Sequence, residues 1–404
     1  MSTSAGIVVV GGGQAGFQLQ QALRSQGFDG RISLLADEPF LPYQRPPLSK
    51  AYLKGEATDD DLAFATADFY RDSGVEIIED RAAAIDPRTK TVTLSRAGSL
   101  SFDRLILATG ARNRRLPGLE GVHGLVSLRT LANAQELRDR LLATGDIVII
   151  GAGYLGLEVA SVSADMGASV RVIEMAPRLM SRSASPAVSR LFQERLEARG
   201  VRFELASSGV RVLHHGGQVT GVEWNGGSVR TKLVLACIGV DPNTELARDA
   251  GLDVANGILT DGYLRTAVPE IYAIGDCAAY PNIHFGQTVR LESVQNAVDQ
   301  ANCVAAAIVG EARPYASLPW FWSEQAGMKL QIAGNTTGQA QEIVVDGDHQ
   351  AGALSAFHFR DDVLVGVESV NRPKDHMLAR KILRSRQVIS AAMLPQLLAP
   401  APAA

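Results

Sequence analysis

Gly11-Gly12-Gly13-Gln14-Ala15-Gly16 and Gly151-Ala152-Gly153-Tyr154-Leu155-Gly156 are the two stretches on which the reading of this chain turns. Each has glycine at the first, third and sixth positions. With 39 glycines in 404 residues, about 0.4 such matches arise by chance, so one copy alone decides nothing. Context decides. The first copy follows an apolar, β-branched run at 7–10 and opens a helical pattern over 15–26, after which 31–36 returns to strand composition. The second lies between a strand at 146–150 and a helix at 157–166, with the next strand at 169–173. An acid closes each unit, Asp37 or Glu174, about 20 residues after the turn.

This β-turn-α-β order has a physical reading. The first glycine makes a tight turn, the second lets backbone approach a pyrophosphate, and the third packs helix on strand. The helix N-terminus then offers N–H groups and a partial positive charge to the phosphates. Asp37 and Glu174 are placed to accept from ribose hydroxyls. A carboxylate repels a 2′-phosphate, so Glu174 favours NADH over NADPH, while Arg178 and Arg182 nearby act in the opposite sense. The bland reading, glycine turns that only pack helices, fits one copy better than two.

Outside these turns the chain reads as α/β. Strands are expected at 75–79, 91–94, 104–108, 233–238 and 271–274, a polar hairpin at 210–224, and a long helix over 291–309. A boundary near 314–319 precedes strands at 328–333, 343–345, 353–359 and 363–370 and a basic helix at 374–386. The expectation is two Rossmann-like dinucleotide-binding domains and a C-terminal α+β domain. The domains are 1–112 with 240–316, a discontinuous FAD domain; 113–239, an NAD domain; and 317–404.

Composition excludes several classes. Charged residues are 20% and hydrophobic ones 46%, so the chain is neither disordered nor fibrous. A net charge of -4 argues against a chain-wide nucleic-acid field. Cys237, Cys277 and Cys303 are the only cysteines, without a CxxC pair, which fits a reducing compartment and a cytoplasmic location. The start, 1–6, has no basic segment or cleavage site, and the apolar end, 388–404, is broken by three prolines. The seven histidines show no ligand spacing, and no metal site is expected.

Two dinucleotide sites in one chain suggest a hydride exchange, most simply between NAD(P)H and FAD. The chain resembles the FAD-dependent pyridine-nucleotide oxidoreductases of the glutathione-reductase-like fold. Its motifs are similar to those of ferredoxin reductases that serve bacterial haem-thiolate monooxygenases and aromatic-ring dioxygenases. The carriers are both glycine turns, the loop from Leu41 through Arg45-Pro46-Pro47-Leu48-Ser49-Lys50, Ala108-Thr109-Gly110, Glu158, Tyr272-Ala273-Ile274-Gly275-Asp276, Glu292-Ser293-Val294 and Pro319-Trp320-Phe321-Trp322-Ser323.

By itself the Arg45–Lys50 loop is a proline-stiffened segment that need be no more than surface structure. The resemblance implies that it packs along the flavin with Lys50 near the reactive edge, where a cation favours the anionic reduced ring. Glu158 stands one turn into an apolar helix, where an unpaired carboxylate is costly. Lys50 is its expected partner; a charge favoured by the helix start is the alternative. The resemblance also sets Glu158 beside the nicotinamide.

The resemblance further implies FAD contacts from Gly11, Gly13, Ala15, Gly16, Asp37, Arg45, Lys50, Ala82, Thr109, Gly110, Arg129, Asp276, Val294 and Trp320. For NAD it implies Gly151, Gly153, Tyr154, Leu155, Gly156, Glu158, Glu174 and Gly239. Composition alone would place Ala82 and Val294 in core or strand, make Asp276 a cap, and put Trp320 and Trp322 in a domain core. The expected catalytic residues are Lys50, Glu158 and Trp320.

Relatives that reduce disulfides or peroxides use a cysteine beside the flavin, and no cysteine precedes Cys237. That leaves a one-electron acceptor: a 2Fe-2S ferredoxin, with rubredoxin next. Ferredoxins are usually acidic, so a basic docking face is expected from Arg372, Lys374, Arg380, Lys381, Arg384 and Arg386, with Arg290 and Lys329. An ordinary solvated helix face accounts for the same charges. An NADH oxidase of the same fold and a nonenzymatic flavoprotein module are the other readings.

Overall fold

Ile7, Val8, Val9 and Val10 alternate between two buried faces of one strand, and both faces are apolar, as a parallel sheet covered on each side requires. A computed structural model of the chain describes residues 6–96, 98–336 and 342–398; the N-terminal 1–5 and the proline-rich 399–404 discussed above lie outside them. The described chain forms two units, 1–44 with 59–112 and 240–317, and 45–58 with 113–239 and 318–404.

In the first unit the parallel strands run in the order Val75–Ile78, Ile32–Leu35, Gly6–Val10, Ser99–Leu107, with Ile271–Ala273 beside the last. Helices Gln14–Ser25 and Val294–Ile308 cover one face. Phe17, Leu19 and Leu23 cluster there with Ala297, Ala301 and Val304 around Ile7 and Val9. On the other face Val8, Val10, Leu105 and Leu107 meet Ala247, Leu252 and Ile258. Strands Ala82–Asp86 and Thr91–Leu94 extend the sheet antiparallel from the outer half of Ser99–Leu107.

The second unit repeats the plan. Its parallel strands run Arg202–Glu204, Ser169–Ile173, Asp146–Ile150, Val234–Ala236, Leu125–Val126. The polar hairpin is Arg211–His215 with Gln218–Trp224, to which Gly227–Arg230 adds. The C-terminal part is one antiparallel sheet, ordered Trp320–Gln325, Met328–Gly334, Val363–Val370, Ala353–Arg360, Glu342–Asp348. Helix Pro373–Ser385 covers it through Ala379, Ile382 and Leu383. The architecture is α/β with two Rossmann-type sheets and an α+β terminal portion.

Three details depart from the sequence reading. The second turn's helix spans Tyr154–Asp165, starting three residues earlier than expected, because Gly153 already has the extended backbone of an N-cap. Trp320–Gln325 is a strand, not only an aromatic cluster. Residues 45–58, placed by sequence with the first domain, group with the second unit. There Pro46–Ser49 and Ala51–Lys54 pack on helices Leu131–Thr144 and Tyr154–Asp165, and Lys54 Nζ lies 3.3 Å from Asp165 Oδ2. No described helix is long and apolar enough to cross a membrane.

Candidate active site

The two glycine turns are built by the same atoms. Gly11 N donates to Leu35 O at 2.9 Å, and Gly151 N to Ile173 O at 2.8 Å. A Cβ on Gly11 would meet Ala108 O at 2.2 Å; on Gly151 it would meet Cys237 O at 2.3 Å. A Cβ on Gly16 or Gly156 would meet the carbonyl of Gly11 or Gly151 at 2.0 or 2.3 Å. At these four positions the fold itself demands glycine.

The middle glycines differ. A Cβ on Gly13 or Gly153 meets nothing within 4 Å, so the fold leaves open space beside both. Each is the N-cap of its helix without a side-chain cap, and neither first turn carries an acid. A helix start with no capping side chain and no acid in its first turn, with clear space in front, suits an anionic ligand. The residues present therefore fit a pyrophosphate-bearing dinucleotide at each turn. Ala15 and Leu155 stand in the first turns of these two helices.

Asp37 lies exposed just beyond strand Ile32–Leu35. Glu174 stands directly after Ser169–Ile173, where its Oε2 accepts from Ala152 N at 2.7 Å and its Oε1 from Ala176 N at 2.8 Å. These bonds orient the carboxylate against the glycine turn. Arg178, the expected counter-charge, is engaged within its own loop and by Ser189. It donates to Ala184 O at 2.6 Å, Ser189 Oγ at 2.8 Å and Ser181 O at 2.8 Å. Arg182 is exposed.

Lys50 and Glu158 meet. Lys50 Nζ lies 2.6 Å from Glu158 Oε2, with the carboxylate side chain 9% exposed and the lysine 24%. Two hydroxyls given no role by the sequence reading complete the site: Ser49 Oγ donates to Oε2 and Ser323 Oγ to Oε1, both at 2.6 Å. Ser49 belongs to the Arg45–Lys50 loop, and Ser323 ends the Pro319–Ser323 run. Ser323 had a signal in the alternation of its strand: Phe321, Ser323 and Gln325 share one face, Trp320 and Trp322 the other. Phe321 packs edge-on to Tyr154 at 4.8 Å, and Ala326 N donates to Ser161 Oγ at 2.8 Å, so this strand lies along the Glu158 helix. Burial pushes the Tyr154 phenol well above its ordinary range.

Trp320 sits on the opposite face of that strand. The Arg380 guanidinium lies 4.2 Å from its ring centre, with Trp322 at 5.7 Å and His376 at 5.8 Å. One face of the indole is thus occupied by a cation from helix Pro373–Ser385. Arg45 donates to Arg129 O at 2.6 Å, which joins the proline loop to the start of helix Leu131–Thr144. Gly239 accepts from Arg114 N at 3.0 Å.

In the first unit Thr109 Oγ1 donates to Asn243 O at 2.7 Å, and Gly110 O accepts from Asn243 N at 2.9 Å. Asp276 caps no helix; it lies in the short turn Gly275–Cys277, where a Cβ on Gly275 would come 3.1 Å from Ala15 Cβ. Asp276 is thereby placed beside the first glycine turn's helix. Val294 opens helix Val294–Ile308, and Ala82 is buried at the start of its strand.

All three thiols are held protonated at neutral pH. Burial pushes Cys237 up to about 12, with the negative Glu158 adding to it, and Cys303 up to about 11; Cys277 is also raised by burial. A thiol of this kind is a poor nucleophile.

Four of the cations expected at the basic face are already engaged. Arg372 is paired with Asp346 at 2.7 Å and Asp375 at 2.6 Å, and Arg380 packs on Trp320. Arg290, its side chain 8% exposed, bonds Glu292, Asn256 and Asp276 O. Lys329 pairs with Glu324. Lys374, Lys381, Arg384 and Arg386 remain exposed. The first three, with the exposed Met377, follow one another at helical spacing along one stripe.

Residues 5–301 match the pyridine nucleotide-disulphide oxidoreductase family and residues 320–398 the reductase C-terminal family. The chain is similar to rhodocoxin reductase of Rhodococcus erythropolis, 46% identical over 95% of this chain and 90% of that one. Among solved structures it is similar to the ferredoxin reductase of the CYP199A2 system from Rhodopseudomonas palustris. That likeness has 42% identity and a TM-score of 0.93 over 96% of each chain. It is also similar to the reductase in a covalent putidaredoxin reductase–putidaredoxin complex, with 34% identity and a TM-score of 0.92 over 97% of this chain and 96% of that one. The chain belongs to the pyridine nucleotide-disulphide oxidoreductase family, among its ferredoxin-reductase members, flavoprotein oxidoreductases that bind FAD and use NADH.

Proposed function

We propose that the chain is an NADH-dependent ferredoxin reductase, which passes electrons from NADH singly to a 2Fe-2S ferredoxin that feeds a haem-thiolate monooxygenase or ring-hydroxylating dioxygenase. The duplicated turn carries this reading: one protein built to bind two dinucleotides is built to move a hydride between them. FAD, when bound, accepts the hydride's two electrons together and releases them one at a time.

Gly11, Gly13, Ala15 and Gly16 are the proposed cradle for its pyrophosphate, with Asp37 on the ribose and Ala82, Thr109, Gly110, Asp276 and Val294 around the rest. Gly151, Gly153, Tyr154, Leu155 and Gly156 take the pyrophosphate of NADH, Glu174 its ribose, and Gly239 lines the same site. Lys50 supplies the cation that favours added negative charge. Glu158 holds that ammonium in place, and Ser49 and Ser323 hold Glu158. The raised thiols favour a one-electron carrier over a disulfide as the acceptor.

Lys374, Lys381 and Arg384 form a short basic stripe around the apolar Met377, matched to an acidic partner with an apolar centre. Anaerobic titration of the purified protein with NADH, followed by addition of 2Fe-2S ferredoxins, tests the function. Bleaching by NADH and one-electron re-oxidation by ferredoxin are expected. Re-oxidation by rubredoxin alone, or by oxygen with full peroxide yield, would move the assignment to a rubredoxin reductase or an NADH oxidase.

A further inference from the structure

Glu368 is a carboxylate with no exposed surface, in the middle of strand Val363–Val370 and outside the site described above. Its two oxygens both lie 2.9 Å from Ser185 N, Oε2 accepts from Ser185 Oγ at 2.7 Å, and His358 Nε2 lies 3.0 Å from Oε1. Ser185 and His358 are themselves buried. A buried carboxylate is tolerated only when its lone pairs are satisfied in this way.

Ser185 ends the loop that begins at Glu174, and it caps helix Pro186–Glu197 through Val188 N. The loop is tied at further points, among them Ala206 N on Ala176 O at 3.0 Å and Ser189 Oγ on Leu179 O at 2.5 Å. Met180 N donates to Ala152 O, inside the second glycine turn, at 2.9 Å. Arg178 gives three of its donors to Ala184 O, Ser181 O and Ser189 Oγ. From the C-terminal sheet Thr336 Oγ1 donates to Ser183 O at 3.3 Å. The residue next to Ser185 is Ala184, whose carbonyl holds Arg178.

We propose that Glu368 is a positioning residue for the adenosine end of the NADH site. By anchoring Ser185 it keeps the 176–185 loop in the shape that turns Arg178 inward and leaves Glu174 as the charge facing the ribose, and so enforces NADH over NADPH. This rests on the reading of Glu174 as the ribose acceptor. Released from Ser185, the loop frees Arg178 to meet a 2′-phosphate, which a guanidinium binds well.

The test is calorimetric titration of NAD+ and NADP+ into the holoenzyme and its Glu368→Ala and Ser185→Ala variants, with circular dichroism to establish folding. For Glu368→Ala about tenfold weaker NAD+ binding is expected, and the preference for NAD+ over NADP+ falls by about fivefold or more. In turnover KM for NADH rises while kcat with a dye acceptor stays within about twofold, a split that general loosening of the fold would not give. Ser185→Ala keeps the backbone N–H and moves the same way by about threefold; should Glu368→Ala not fold, this variant decides. Unchanged NAD+ affinity and preference in a folded variant overturn the proposal. Wild-type protein that binds neither nucleotide overturns the ribose reading beneath it.

Discussion

Lys50 Nζ lies 2.6 Å from Glu158 Oε2 although 108 residues separate them, and the loop that brings them together is stiffened by Pro46 and Pro47. Prolines fix the backbone that presents Lys50, so little entropy is lost in holding the ammonium at one point. Replacing Lys50 by Met keeps the chain length and removes the charge. Flavin reduction by NADH should slow by about tenfold or more, equivalent to about 1.4 kcal/mol of barrier. Stopped-flow measurement of the flavin absorbance checks this, and a normal rate would remove Lys50 from the catalytic group.

Ser323 Oγ is the donor on Glu158 Oε1 that the ion pair does not supply. Removing it as Ser323→Ala leaves one oxygen of a buried carboxylate short of a partner. A hydrogen bond to a charged group contributes about 1.5–3 kcal/mol, so a stability loss of about 2 kcal/mol in urea is expected. Ser323→Thr, which restores a hydroxyl, should recover part of it. A wild-type midpoint for Ser323→Ala would mean that the hydroxyl contributes nothing.

Much of this was legible because its signals are local. The glycine turns stand between β-branched strands and apolar helices, and each first and third glycine is forced by a carbonyl only a strand or a turn away. Glu158 announced a partner because a charge in an apolar helix needs one. Ser323 and Glu368 were not legible in the same way. A serine after an aromatic run and a glutamate inside a strand are ordinary by composition, and only the packing of a C-terminal sheet strand on a distant helix gives each its role. Part of the expected basic face was illegible for the opposite reason: sequence counts charges, while Asp346 and Asp375 engage Arg372, and Glu292 engages Arg290, through space.

Glu174 receives two backbone N–H donors, which fix its carboxylate against the second glycine turn. Glu174→Gln keeps one acceptor oxygen and removes the charge that repels a 2′-phosphate. KM for NADPH should fall relative to that for NADH by about fivefold or more, about 1 kcal/mol of differential binding. Steady-state kinetics with both nucleotides decides this, and a ratio that does not move counts against the ribose role.

Lys374, Lys381 and Arg384 are exposed on one helical stripe and hold no place in either nucleotide site. Reversing all three to Glu should raise KM for an acidic ferredoxin by about tenfold at low salt, with dye reduction by NADH unchanged, since steering charges act on encounter. The penalty should shrink as salt is added, because exposed charges are screened. Ferredoxin kinetics identical to wild type at low salt would place the docking surface elsewhere.

His376 is buried on helix Pro373–Ser385 beside Trp320, and burial, followed by the positive Arg380, lowers its pKa to about 4. In the unfolded chain the same ring titrates near 6.5. Between these values the unfolded state binds a proton that the folded state refuses. The stability from the neutral ring is therefore fully present above pH 6.5 and is lost as pH falls from 6.5 toward 4. At pH 4.5 this amounts to about 2 kcal/mol for a ring so well buried. His376→Phe keeps a flat ring against Trp320 without the titration. Denaturation at pH 7 and 4.5 should show a smaller acid loss for the variant than for wild type, by about that amount. Carboxylates elsewhere destabilise both proteins alike at low pH, so the difference isolates the imidazole. Equal losses in the two would mean that His376 takes up its proton in the folded protein as readily as in the unfolded one.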